Sequence, residues 1–211
     1  MHNLPQMKLI AILNIVAYVG TIVMNGLANA LPINGYNTGQ LSDLYPNKFV
    51  PAGLTFSIWG IIYLLLGVFV VYQAVVAFRS NPGTDNFVSR IGPWFLISSL
   101  ANMAWIVAWH YRQVPLSLLI MLGILLSLIM IYQRLQVGLA SAPGNEKFLV
   151  HLAFSIYLGW ITVATIANVT TLLVDLGWDG FGISDVSWTV VVNSSMLEEV
   201  SSKLDACSSV R

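Results

Sequence analysis

Five stretches of this chain contain no lysine, arginine, aspartate or glutamate: Leu9–Leu31, Ala52–Phe78, Pro93–Trp109, Val114–Gln133 and Phe148–Val174. A bilayer core takes roughly 20 apolar residues per helix, within a working range of about 17–25. A charge near its centre costs about 2.5–3.5 kcal/mol on insertion scales. The first four runs fit or nearly fit that window, and the fifth is long enough to tilt or to project from the lipid. Composition agrees: of 211 residues 57% are hydrophobic and only 9% are charged. A soluble domain carries about 25% charged residues, so a water-facing surface cannot be made from this chain. The expected fold is all-α, an integral membrane protein. Residues 1–176 form one domain, a bundle of five transmembrane helices at about 9–31, 52–78, 93–109, 114–133 and 148–174. Residues 177–211 follow as a polar C-terminal tail.

The charges also exclude several functions. Nine basic and nine acidic residues cancel, leaving no basic excess to meet a phosphate backbone, so no nucleic acid is expected as a partner. The single cysteine, Cys207, can form no internal bridge. No carboxylate pair lies within the membrane runs, and neither HExxH nor GxSxG occurs. His110 and His151 sit at helix ends and read as headgroup-level residues rather than metal or haem ligands. Asp175, Asp179 and Asp185 are interleaved with Gly177, Gly180 and Gly182, which reads as a solvated loop rather than a cation site. No residue is assigned a catalytic or metal-binding role, and no cofactor is required.

The connectors carry turn chemistry: Asn34-Gly35, Asn81-Pro82-Gly83 and Ala142-Pro143-Gly144-Asn145 are all breakers. The longest loop, Pro32–Pro51, holds Asp43, Lys48 and the Tyr45-Pro46 step and is a candidate lid over one end of the bundle. Lys8 before an apolar run ending in Ala28-Asn29-Ala30 has the form of a cleavable signal. The run is long for that role and is broken by Asn14, Asn25 and Asn29, which favours a retained first helix. If the helices alternate, Lys8, Arg79, Arg90, Arg134 and Lys147 flank one side, against Lys48 and Arg112 on the other. By the positive-inside rule the N-terminus is then cytoplasmic. Nothing has the form of a transit peptide, so a prokaryotic inner membrane is the expected location.

Polar side chains inside the runs are ordered. At about 100° per residue, Asn14, Tyr18, Thr21, Asn25 and Asn29 fall within about 80° of one another on the first helix. Amides facing lipid would lack partners, so this stripe faces protein or a wet cavity. Interhelical hydrogen bonding and cavity lining both remain open for it. On the third helix Trp94, Ser98, Asn102, Trp105 and Trp109 share a face. Trp94 and Trp109 read as interfacial anchors. Trp105 lies deeper, and either packing or pocket lining suits it. The fifth helix has two decorated faces: Tyr157, Trp160, Ala164, Asn168 and Thr171 on one, His151, Ser155, Thr162 and Thr165 on the other. Thr55, Trp59 and Tyr63 share a face of the second helix. The fourth carries little beyond Ser117 and Ser127 and is expected to face lipid or a partner subunit.

Three of these segments resemble the TspO/MBR family, the tryptophan-rich sensory proteins of bacteria and the translocator (peripheral benzodiazepine receptor-type) proteins of mitochondria. The third helix carries Asn102-Met-Ala-Trp105 and then Pro115, similar to the family's N-x-x-W run. The fifth carries Tyr157-Leu158-Gly159-Trp160 and then Asn168, similar to its Y-L-x-W followed by Asn. On the second, Pro51-Ala52-Gly53 precedes Trp59, Tyr63 and Gly67 at the family's W-to-Y-to-G spacing. The likeness spans about Tyr45 to Thr171. Phe56 departs from it, standing three residues before Trp59 where the family keeps a longer interval and a Pro before the Trp, and the asparagine stripe has no family counterpart. A divergent branch is implied.

The resemblance implies a five-helix bundle that forms homodimers in the lipid bilayer. It implies binding, sensing or transport of a flat hydrophobic small molecule, such as a porphyrin or haem-type tetrapyrrole or a sterol. The ligand-binding residues it implies are Trp59, Tyr63, Asn102, Trp105, Tyr157, Trp160, Ala164 and Asn168. Indole and phenol rings suit such a ligand, with a few amides to orient it. Three alternatives stand beside this reading: light-dependent porphyrin degradation, a small-solute carrier, and a structural or regulatory subunit. The tail is set apart, because Val186–Val192 begins like another span and then gives way to the serine-rich Asn193–Arg211. A truncated or frame-shifted end is one expectation for it.

Overall fold

The computed structural model describes residues 4–45, 58–79, 87–139, 141–182, 187 and 190. Lys48, the Pro51-Ala52-Gly53 entry, Thr55, Phe56, the Asn81-Pro82-Gly83 turn, Asp185 and nearly all of the tail with Cys207 lie outside them. Five long helices dominate the described residues. They are α1 (Leu4–Ala30), α3 (Ile58–Ala77), α5 (Trp94–His110), α6 (Val114–Leu135) and α8 (Leu152–Asp175), with the short α2 (Thr38–Asp43), α4 (Phe87–Ile91) and α7 (Gly144–Glu146) between them. Among the described residues, four helices are long and apolar enough to cross a membrane: α1, α3, α6 and the continuous helix Gly144–Asp175 that contains α7 and α8. At 17 residues, α5 stands at the lower end of the spanning range.

The ends of these helices follow from local chemistry. After α1 the chain turns through Asn34 and Gly35, with φ of 53° and 88°, and Tyr36 N donates to Ile33 O at 3.3 Å. Two positive φ values in succession are what an Asn-Gly turn accommodates. Asn37 then caps α2 reciprocally with Gln40, satisfying two otherwise orphaned N–H groups. Gln136, with φ 52°, closes α6 in the left-handed conformation.

Each long helix packs mainly against two others, closing a ring in the order α1, α3, α8, α6, α5. The inside is aromatic: Phe69 of α3 makes edge contacts with Phe95 of α5 and Phe154 of α8, at centroid distances of 5.1 and 4.9 Å. The outside is aliphatic, with Leu9, Val16 and Val23 of α1 and Leu64, Val71 and Val75 of α3 all exposed. An apolar exterior around a core with buried amides suits lipid rather than water. Gly67 allows α1 to approach α3 closely. A Cβ there would lie 2.5 Å from the Tyr18 hydroxyl, which donates to Tyr63 O at 2.8 Å.

The reading of the fourth helix needs correction. Met121, Ile124, Leu128, Ile131 and Leu135 of α6 are buried against the core, while Leu116, Leu119, Leu122 and Leu126 are exposed. This helix has an inner face as full as any other. Because both faces are aliphatic, hydropathy gives no contrast from which to tell them apart.

The last helix also differs from its charge-free run. It begins at Gly144, and residues Lys147–His151 form a π-helical turn. In an α-helix, residues five apart are rotated by about 140°; an i→i+5 turn sets them on one face. Glu146 and His151 are five apart, and His151 Nε2 lies 3.3 Å from Glu146 Oε1. Arg90 of α4 donates to the same carboxylate oxygen and to Leu135 O at the end of α6. The histidine is therefore buried in a clamp, because the register shift turns it inward.

The basic residues at this end cluster by contact as well as by alternation. Lys8 Nζ lies over the Phe78 ring at 5.7 Å, and Arg134 over Trp94 at 5.8 Å. The opposite end is closed by α2 and its flanking loop, where Trp109 Nε1 donates to Thr38 O at 3.4 Å and Asn34 Nδ2 to His110 O at 3.0 Å.

Candidate functional site

Helix α3 brings Trp59 and Tyr63 to the bundle interior one turn apart, their rings stacked at 5.5 Å and 22°. The edge of Trp59 meets Trp160 of α8 at 5.9 Å and 83° and Tyr157 at 6.3 Å and 64°. Across the bundle, Trp105 and Trp109 of α5 stack at 5.6 Å and 12°. These two aromatic groups face a narrow cavity of about 60 Å³. Trp59, Trp105, Trp109, Trp160, Ala164 and Asn168 line it, and Thr38 and Ser42 of α2 close its end. Ala164 supplies the gap, since a larger side chain between Trp160 and Asn168 would fill it.

A second cavity of about 480 Å³ adjoins the first, sharing Trp59, Trp105 and Thr38 with it. Its remaining walls come from Tyr63, from Ile22, Asn25, Gly26 and Asn29 of α1, and from Asn37, Gly39 and Asp43 at α2. Together the two make a cleft beneath α2, apolar and aromatic toward the core and polar toward α1. Trp105 Nε1 and the Tyr63 hydroxyl are buried and have no hydrogen-bond partner among the described residues.

Five of the eight expected ligand-binding residues line the smaller cavity: Trp59, Trp105, Trp160, Ala164 and Asn168. Tyr63 lines the larger. Asn102 and Tyr157 line neither and stand behind the wall. Asn102 Oδ1 accepts from Asn25 Nδ2 at 2.9 Å, and its side chain is hydrogen-bonded with the Tyr157 hydroxyl. They hold α1, α5 and α8 in register around the cleft. Asn168 is itself held, its Oδ1 accepting from Ser117 Oγ at 3.2 Å.

The asparagine stripe divides between its two readings. Asn14 is buried and donates to Gln73 Oε1 of α3 at 2.9 Å, which is interhelical glue. Asn25 and Asn29 line the larger cavity. Gln73 went unnoticed in the sequence, though an amide in so apolar a helix is itself a signal. Trp109, read as an anchor, also lines the smaller cavity. Its spacing of one turn from Trp105 could have shown this. On the second face of the last helix, Thr162 and Thr165 donate to the carbonyls of Leu158 and Ile161 in their own helix, as threonines in helices commonly do.

His110, at the end of α5, is fully buried. The Asn34 turn covers this end of α5, and His110 Nδ1 lies 2.8 Å from Ile106 O. A carbonyl only accepts, so Nδ1 carries the proton. Among the described residues no group of three His, Cys, Asp or Glu side chains could hold a metal ion. Arg112, in the turn after α5, is hydrogen-bonded to Tyr45, which raises its guanidinium above its ordinary value. It lines neither cavity.

A family model described as TSPO-like protein matches residues 11–195. No curated protein matches the chain, and no solved structure does.

Proposed function

The chain belongs to the TSPO-like protein family, and on that premise we propose that it binds a flat hydrophobic molecule, of the porphyrin or sterol kind, in the cleft beneath α2. One observation carries this reading: Trp59, Trp105 and Trp160, from three helices, face a common cavity whose polar atoms are few. Indole rings give a flat ligand large contact area at low entropic cost. The larger cavity, at about 480 Å³, lies within the range of small-molecule sites, about 300–1,000 Å³. A tetrapyrrole does not fit the narrow part alone, so it enters by parting the Trp59 and Trp105 groups from the wider side. The five long helices all cross the bilayer in this reading, with the clustered basic end cytoplasmic and the cleft opening on the other face.

Tryptophan fluorescence of the detergent-purified protein, titrated with protoporphyrin IX and separately with a sterol, tests this. Saturable quenching at micromolar ligand is expected. Trp160→Phe and Asn168→Ala should each weaken it about five- to tenfold, the loss of one ring contact or one orienting amide. Quenching that never saturates, or that ignores both substitutions, would be partitioning into the micelle and would sink the proposal.

A further inference from the structure

The outer face of α3 carries a trough. Leu64, Val68, Val71 and Val75 recur at i, i+4, i+7 and i+11, one stripe along the helix, and all four are exposed. They line a space of about 500 Å³ that Tyr18 of α1 and Leu149 of the last helix border, from the two neighbours of α3 in the ring. Gly67 deepens it by lacking a side chain, and Tyr72, held by stacking on Phe87 at 5.2 Å, stiffens its edge. From Leu64 to Val75 the helix rises about 16 Å, close to half of a hydrocarbon core of roughly 30 Å. The trough therefore covers the depth of one leaflet. Cations stand where it ends. Arg79 lies one turn beyond Val75 and is exposed, with Phe78 N and Arg79 N still bonded back to Ala74 O and Val76 O. Lys8 of α1 sits over the Phe78 ring at 5.7 Å, and the exposed Lys147 comes two residues before Leu149. Each helix around the trough thus supplies one cation at the same end. Among the described residues none of the three has an ion pair, and the carboxylate at this end, Glu146, is taken by Arg90 and His151.

We propose that this trough is the binding site of one anionic phospholipid, with an acyl chain along the α3 stripe and the phosphate among Lys8, Arg79 and Lys147. The site is separate from the cleft beneath α2 and does not depend on it. Two terms act together. The chain gains many small dispersion contacts with a concave aliphatic surface, and the phosphate supplies charge-assisted acceptors to cations that no carboxylate of the protein answers. A zwitterionic headgroup brings its own cation to the same place and gains less. A free phosphate ion has no chain for the trough. A second copy of the protein fits the charges poorly, because two copies in one membrane share an orientation. A symmetric contact over α3 would then set Lys8 and Arg79 of one copy beside those of the other.

The experiment uses the full chain in an uncharged detergent and two lipids with the same palmitoyl and oleoyl chains, phosphatidylglycerol and phosphatidylcholine. Bound molecules are counted by native mass spectrometry. One phosphatidylglycerol per protomer should bind about ten times more tightly than phosphatidylcholine. In Lys8→Gln with Arg79→Gln the two affinities should come within about twofold of each other. Arg134→Gln removes a cation from the same end, but on α6, which does not border the trough, and should leave the preference intact. Val71→Trp fills the trough from an exposed position; it should weaken both lipids about fivefold and leave the melting temperature of the lipid-free protein unchanged. Equal binding of the two lipids by the unaltered protein overturns the site. So does a preference that falls as far in Arg134→Gln as in the double variant, which would mean a diffuse basic surface. Val71→Trp protein that binds both lipids as before overturns it as well, and if that variant also splits a dimer, the trough belongs to a second copy.

Discussion

Tyr18 and Gly67 show how much rests on single atoms in this bundle. The Tyr18 hydroxyl occupies the space a Cβ at position 67 would take and donates to Tyr63 O. Tyr63 in turn stacks on Trp59 at the cleft. Gly67→Ala should therefore displace Tyr18, costing about 1–3 kcal/mol as overpacking does, and weaken ligand binding through Tyr63. Tyr18→Phe removes only the hydrogen bond, about 1 kcal/mol. Apparent melting temperatures in detergent should rank wild type above Tyr18→Phe above Gly67→Ala; an alanine variant as stable as wild type would refute the close approach. Gly67 entered the sequence reading as part of a spacing, and its reason became visible only when α1 was laid against α3. The same holds for Gln73. Asn14 declared itself polar and inward, but nothing along one helix names the partner on another. Asn14→Leu should cost about 0.6–1.7 kcal/mol, the range of hydrogen bonds between membrane helices, and leave Gln73 the buried amide without its partner.

At the scale of elements, charge-free length located the long helices to within a few residues where the structure describes both ends, as in α5 and α6. A charge is excluded from lipid whatever the tertiary structure, so this signal needs no context. Two things escaped it: the inner face of α6, for want of contrast, and the π-turn at Lys147–His151, whose cause is a contact. The Arg90, Glu146 and His151 side chains join α4, the end of α6 and the start of the last helix. Removing the shared carboxylate leaves a half-buried guanidinium without its ion pair. Glu146→Ala should destabilise the protein by about 2 kcal/mol, less than the 3–5 kcal/mol of a fully buried pair, since Arg90 keeps some access to water. A sharper test is geometric. Deleting one residue from Lys147–Val150 restores an i→i+4 spacing between Glu146 and His151 and should be better tolerated than a deletion in α8. If both deletions are equally harmful, the turn serves some purpose other than this contact.

For the whole molecule, the candidate site was legible to the extent that its residues point inward from single helices. Trp59, Trp105, Trp160 and Asn168 are recognisable by wheel position and motif, and the fold brings them together. What separates lining from support, Trp160 from Tyr157 or Asn25 from Asn102, is depth, which depends on how five helices lean together and which no single helix encodes. Orientation is likewise a property of the whole. The contacts of Lys8, Arg90 and Arg134 gather these basic residues at the end opposite α2. Retention of Lys and Arg on the cytoplasmic side predicts that α2 and the cleft mouth lie on the far face. Single cysteines introduced into Cys207→Ser protein at Gly39, in α2, and at Leu139, exposed after α6, report this directly. A membrane-impermeant maleimide applied to intact cells should label position 39 and leave 139 untouched until the membrane is opened. The reverse pattern would invert the protein and turn the cleft toward the cytoplasm. Its ligand would then have to come from inside the cell, and the basic cluster would be held against the positive-inside bias by some stronger signal.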